Sequence, residues 1–148
     1  TAPNLHGQVR ALHRAYLAAG FDPWEVDLVE AHGTSTTVGD KVEVEALNAV
    51  IGAGKRTGRG PIRIGSVKSM IGHLKSAAGA ASVIKAALAL HHGVLPPSLH
   101  VKRPNPGWRG EVSPFLFRSK PAPWASETRS TSTSLVSPGS RPMRQQRH

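Results

Sequence analysis

The stretch IRIGSVKSMIGHLKSAAGAASVIKAALALHH, residues 62–92, decides how this sequence folds. It opens with the alternating run IRI, which is typical of a strand, and then turns through a segment that contains two glycines. From His73 onward, alanine and aliphatic residues predict a long helix that ends at Gly93. Because many of its side chains are small, we expect other backbone to approach this helix closely and to bury more than one side of it. Lys68 and His73 then share one strand-to-helix connection.

An earlier connection has the same design. Residues 26–31, VDLVEA, predict a strand, which we place in the middle of the sheet, and this strand leads into His32 and a hydroxyl-rich turn. The next helix is expected over residues 40–51, with Asp40 as its N-cap and Glu43 at capping-box spacing. Because each histidine follows a strand and precedes a helix, we expect His32 and His73 to face each other across a pocket.

The flanking segments complete one domain. A helix is predicted over residues 7–19, a flexible basic surface linker over 52–60 and a short strand over 113–117. The glycines of the linker do not have the spacing of a phosphate-binding loop. Residues 125–148 are rich in Ser, Thr, Arg and Pro without periodicity, which indicates a disordered basic tail.

Composition excludes several classes of site. The 148 residues contain no cysteine, so no disulfide, thiolate metal site or cysteine nucleophile exists in this chain. With neither a signal segment nor an apolar run of about 18 residues, we expect a cytoplasmic protein without a membrane partner. The net charge is +10, and half of it lies in residues 118–148, which favours a solvated tail over nucleic-acid binding. Binding to nucleic acid stays open as the reading that charge alone supports.

The two strand-to-helix connections that contain the histidines hold the candidate catalytic residues. At a helix N-terminus the positive end of the macrodipole disfavours imidazolium, so we expect a neutral His73. Two neutral imidazoles, from His32 and His73, could donate to one carbonyl oxygen and stabilise an enolate that forms on it. Lys68 could pair with a carboxylate on the helix after His32, either Glu43 or Asp40. Each residue alone has an ordinary structural explanation, and only the joint arrangement favours a site.

These motifs resemble a known family. VEAHGTST, GD and E within residues 29–43, and GSVKSMIGHL with AAG within residues 65–79, are similar to the C-terminal half of β-ketoacyl synthases, the condensing enzymes of fatty-acid and polyketide synthesis. The similarity covers residues 1–124, as a ketosynthase C-terminal subdomain, and is closest to ketosynthase domains of polyketide synthases. It implies an α/β, thiolase-like fold of helices layered around mixed sheets, of which this chain forms roughly the second half.

The resemblance also implies a reaction, namely decarboxylative Claisen condensation by an acyltransferase. A cysteine of the first half would carry the acyl chain, and a malonyl-type extender would arrive on the phosphopantetheine arm of an acyl carrier protein. His32 and His73 would hold the extender's thioester carbonyl while CO2 leaves, and no metal or bound cofactor is implied.

The resemblance assigns supporting roles as well. Lys68 would anchor the site through an ion pair with Glu43 or Asp40, and Thr34 and Thr36 would contact the phosphopantetheine arm. The implied partners are the acyl carrier protein, the cysteine-bearing N-terminal half and a second copy in a homodimer.

The sequence departs from the family in two places. It lacks the cysteine, so we expect no condensation from this chain alone. The arginine-rich tail stands where the family has an apolar strand and a GFGGxNxH segment, and such a replacement is what a shifted reading frame would produce. We therefore expect a fragment, a truncated product or one part of a split enzyme. The alternative is a non-catalytic structural or dimerisation partner of a condensing enzyme.

Overall fold

The computed structural model describes residues 3–102, 104–105, 108, 110 and 112–124. Within them the helices are α1 (Leu5–Ala19), α2 (Thr37–Val50), α3 (Lys68–Ile71) and α4 (Ala78–His92), with 3₁₀ turns at Pro23–Glu25 and Lys75–Ala77. The strands are β1 (Leu28–Glu30), β2 (Ile62–Gly65), β3 (Val94–Leu95), β4 (Phe115–Leu116) and β5 (Ala122–Pro123). The predicted disordered tail, 125–148, lies outside the described residues.

A parallel three-stranded sheet organises the domain. β2 lies in the middle, with β1 on one side and β4 on the other, and β3 pairs with β5 in a separate antiparallel ribbon. Every residue of β2 is buried, whereas β1 is only half-buried. Our placement of the first strand in the middle was therefore wrong, since within the described sheet β1 is an edge.

The core lies between this sheet and α2. Its buried cluster consists of Leu47, Ile51, Ile62, Ile64 and Phe115. Two side chains of α1, Leu12 and Tyr16, pack partly buried against the cluster, and α1 contacts α2. Apolar residues of α2 at helical spacing thus account for the packing of the sheet's covered face.

The ends of the first two helices differ in how well they were predicted. The amide of Gly7 donates to Asn4 Oδ1 at 2.9 Å where α1 begins, and Gly20 ends that helix at φ 73°, as expected. Helix α2 begins at Thr37, and the Asp40 amide donates to the Thr36 carbonyl at 2.9 Å. Asp40 is therefore inside the first turn, and its predicted role as N-cap was wrong.

The second connection is longer than predicted. Short helix α3 ends at Gly72, whose φ of 77° lies in the left-handed region, and α4 begins only at Ala78. His73 therefore lies in an exposed loop between two helices, and its predicted position at a helix N-terminus was wrong. A glycine with positive φ is the physical reason, because it ends the helical path before the histidine.

Helix α4 packs much less than expected. Only Ala78 and Ala89 are buried in it, and Gly93 ends it at φ 63°. Its large apolar side chains are more than half exposed: Val83, Ile84, Leu88 and Leu90. Burial on more than one side is thus wrong for this chain, since none of the described segments covers that face.

The linker after α2 is anchored instead of free. Arg56 pairs with Asp27 at 3.1 Å, and Arg59 pairs with the same carboxylate at 3.6 Å. The Arg56 guanidinium also donates to the Val26 carbonyl at 2.6 Å. A surface linker was predicted here, and two of its basic residues fix it to the start of β1.

None of the described helices is long and apolar enough to cross a membrane.

Candidate active site

Two loops meet at one edge of the sheet. Strands β1 and β2 are parallel neighbours, with Glu30 opposite Gly65, so the loops that follow them leave the same edge. The ring of His32 from the first loop lies 5.9 Å from the ring of His73, centroid to centroid, at an interplanar angle of 90°. The two histidines face each other, as the sequence indicated, but at this distance the rings are direct neighbours, so the predicted pocket between them is not found in the described part of the chain.

Glu43 holds the first loop by its backbone. Its carboxylate accepts hydrogen bonds from the amide of His32 at 2.6 Å and from the amide of Gly33 at 2.9 Å. Gly33 has φ 47°, and a Cβ on it would lie 2.9 Å from Ser66 Cβ. The loop therefore requires glycine there and an acceptor in the second turn of α2.

The predicted ion pair is not formed. Among the described residues, Lys68 makes no ion pair with Glu43 or Asp40, and the Glu43 oxygens instead accept the two backbone amides. One oxygen of Asp40 is buried without a hydrogen-bond partner. All three side chains nevertheless line one cavity.

The surroundings of His73 lower its pKa and so favour the neutral ring. Its pKa is lowered by partial desolvation, then by the positive charges of Lys68 and Lys75, and then by His32. Its Nδ1 accepts the Lys75 amide at 3.0 Å, so the neutral ring carries its hydrogen on Nε2. A neutral His73 imidazole is therefore still favoured. The helix dipole is not the cause, because His73 does not lie at a helix N-terminus.

A cavity of about 540 Å³ lies between the start of α2, the end of β2 and residues 98–101, 104 and 105, and neither His32 nor His73 is among its described lining residues. Thr36 lines it together with Lys68 and Asp40, whereas Thr34 is not among its described lining residues. The hydroxyls of Thr34 and Thr36 lie 3.5 Å apart. The cavity lining is both polar and apolar, as is common in small-molecule sites.

A second carboxylate at this edge, Glu30, was not predicted from the sequence. Glu30 accepts the amide of Val67 at 2.5 Å, the hydroxyl of Ser82 at 3.3 Å and the ammonium of Lys85 at 2.7 Å. The available signal was an acidic residue at the end of an otherwise apolar run. Among the residues described, no cluster of three or more His, Asp or Glu side chains is arranged to hold a metal.

The sequence profile of the family described as "Beta-ketoacyl synthase, C-terminal domain" matches residues 1–102. The chain belongs to this family. It is 51% identical over 106 residues to the spectinabilin polyketide synthase system protein NorA of Streptomyces orinoci, which covers 72% of the chain and 6% of that protein. It is 42% identical over 141 residues to polyketide synthase GfsA of Streptomyces halstedii, covering 94% of the chain and 2% of that protein.

Solved ketosynthases have the same fold. An oxazolomycin ketosynthase domain of Streptomyces albus JA3453 matches with TM-score 0.75 and 42% identity, over 82% of this chain and 21% of that one. The module 6 ketosynthase of the Bacillus subtilis 168 bacillaene synthase matches with TM-score 0.78 and 38% identity, over 89% of this chain and 24% of that one. The predicted thiolase-like α/β fold is confirmed, and the chain spans about a quarter or less of these two ketosynthases.

Proposed function

We propose that this chain supplies the histidine-bearing half of a polyketide ketosynthase that catalyses decarboxylative Claisen condensation. The observation that carries the proposal is the facing pair of His32 and His73, 5.9 Å apart at the edge where two parallel strands end. The two relatives are polyketide synthases, and membership of the family supports a malonyl-type extender on the phosphopantetheine arm of an acyl carrier protein as the substrate.

The histidines would act on the extender's thioester oxygen. When the extender's carboxylate leaves as CO2, the electron pair of the broken bond forms an enolate, and N–H donors of His32 and His73 stabilise its oxygen. The enolate carbon then attacks the acyl thioester on the cysteine of the first half. A carbon–carbon bond forms, and the cysteine thiolate leaves.

Neighbouring side chains support the two histidines in different ways. Lys68 contributes to the lowered pKa of His73, which favours the neutral ring that donates through Nε2. Glu43 orients the first loop through the His32 amide. Thr36, with Thr34 beside it, would contact the phosphopantetheine arm in the cavity that Asp40 also lines.

The partners follow from the same proposal. The cysteine-bearing half would cover the exposed apolar side chains of α4, since an apolar surface of this kind marks an interaction site. The complete enzyme would be a homodimer served by an acyl carrier protein. Because this chain has no cysteine, we expect no ketoacyl product from it alone.

The test joins the chain to a cysteine-bearing ketosynthase first half and measures ketoacyl product. His32→Ala and His73→Ala should each lower condensation roughly 10²–10³-fold, as removal of an oxyanion donor does. Both side chains are exposed, so folding should be unchanged, and His6→Ala, an exposed histidine near the start of α1, is the control. If the two halves assemble but the amount of product does not depend on His32 and His73, the chain would instead be a non-catalytic structural partner.

A further inference from the structure

We propose that the Glu30–Lys85 ion pair positions the His73 loop against the His32 loop. The inference rests on the proposed function, in which the two histidines must converge on one oxygen. Neither Glu30 nor Lys85 would touch the substrate. Their effect would pass through the backbone of the loop that carries Lys68 and His73.

One carboxylate connects three elements at the site edge. Glu30 is the last residue of β1, two residues before His32. Its Oε1 accepts the amide of Val67, two residues after the end of β2, at 2.5 Å. Its Oε2 accepts the ammonium of Lys85, from the middle of α4, at 2.7 Å. A shift of any one element would therefore move the other two.

The pair is shielded from water. The side chains of Glu30 and Lys85 are 13% and 9% exposed, so their attraction is screened less than that of a surface pair. The hydroxyl of Ser82 adds a third donor to the carboxylate at 3.3 Å. A buried ion pair contributes little net stability compared with apolar packing, so its distinguishing effect is on geometry.

The first loop has a parallel arrangement. Glu43 binds the His32 and Gly33 amides, and Glu30 binds the Val67 amide, so each histidine loop has one carboxylate on its backbone near the strand end. Glu43 reaches its loop from α2, while Glu30 is fixed in turn by α4 through Lys85. The distance between the two rings thus depends on both carboxylates, and a displacement of about 1 Å can cost roughly 10²-fold in rate.

The test uses the assembled ketosynthase, with Lys85→Met, Lys85→Arg and Ser82→Ala. We expect Lys85→Met to lower kcat for condensation at least tenfold, with KM for the extender-loaded carrier protein and the rate of cysteine acylation both within twofold. Lys85→Arg keeps the charge and should recover most of the activity. Ser82→Ala removes only the weakest of the three bonds and should lower kcat two- to fivefold, which keeps the test open if Lys85→Met folds poorly.

Arg56→Met is the matched control, since it breaks another shielded ion pair, to Asp27, that does not contact either loop. It should lower stability without separating condensation from acylation. If Lys85→Met keeps full kcat, or lowers condensation and acylation equally as a merely destabilised protein would, the positioning role is wrong.

Amide hydrogen exchange separates this inference from the proposed function. In Lys85→Met, exchange at Val67 and Lys68 should rise at least tenfold, while exchange in α1 stays unchanged. An inactive wild-type assembly with this exchange response would refute the proposed reaction and leave the positioning contact standing. Unchanged exchange at Val67 would overturn the positioning contact whatever the activity.

Discussion

This chain contains two strand–loop–helix units with the same order of elements, and they differ in how much of the helix is buried and how the loop is held. The first unit is β1, the His32 loop and α2, and the second is β2, the His73 loop and α4. Helix α2 buries Val44, Ala46, Leu47 and Val50, whereas α4 buries only two alanines. The first loop is held by a carboxylate on two consecutive amides, whereas all of residues 71–77 are exposed.

The difference shows which part of the site this chain builds alone. In the first unit, apolar helical spacing and one carboxylate suffice, because the packing partners are α1 and the sheet. In the second unit, the strand is the most buried element while its helix presents apolar side chains to solvent. We infer that the second unit needs the rest of the ketosynthase to reach its final packing.

The largest expected effect compares one leucine in each helix. Leu47 is 6% exposed in the core cluster, and Leu88 is 52% exposed on α4. Leu47→Ala should lower the free energy of unfolding of the chain by about 2–5 kcal/mol, because it leaves a cavity. Leu88→Ala should change it by less than about 0.5 kcal/mol, as exposed sites do. Denaturant unfolding measures both, and equal losses would show that α4 is already packed.

A smaller effect compares one glycine in each unit. Gly33→Ala should cost at least about 1–2 kcal/mol, because φ is 47° and the new Cβ would lie 2.9 Å from Ser66 Cβ. Gly79→Ala should instead stabilise by roughly 0.5–1 kcal/mol, because it lies in α4 with no atom within 4 Å of the added Cβ. Thermal unfolding of both variants checks the opposite signs, and a loss at Gly79 would contradict the openness of the α4 start.

The sequence predicted what depends on local pattern. The alternating run before Gly65, the apolar spacing of the first helix and Gly20 at its end each act through neighbours in the chain, so these elements were found. The two histidines could be brought together because both follow strands. The family was recognisable from the motifs around His32 and His73, and the match over residues 1–102 confirms it.

What depends on contacts far apart in sequence could not be predicted. Glu43 or Asp40 was predicted to pair with Lys68, but the structure gives the Glu43 oxygens to backbone amides, which have no sequence signature. The start of α4 was placed five residues early, because nothing in the composition shows that Gly72 adopts positive φ. The Glu30–Lys85 pair spans 55 residues, and no local spacing points to it.

The smallest expected effect concerns the charge of His73. Its pKa should lie below the usual value of about 6.5, because partial desolvation and then the charges of Lys68 and Lys75 oppose protonation. The unfolded chain therefore binds the proton more readily. The stabilising contribution is complete above about pH 6.5, declines as the pH falls towards the folded pKa, and is lost below it.

An NMR titration of the His73 ring measures that pKa directly. Lys68→Met should raise it, because a positive charge is removed, whereas Lys41→Met should leave it unchanged, because Lys41 lies in an exposed pair with Glu45 on α2. A pKa that Lys68→Met does not move would mean that Lys68 has no part in keeping the ring neutral. The neutral donor in the second loop would then depend on desolvation and Lys75, and would be expected to strengthen when the first half covers the exposed loop.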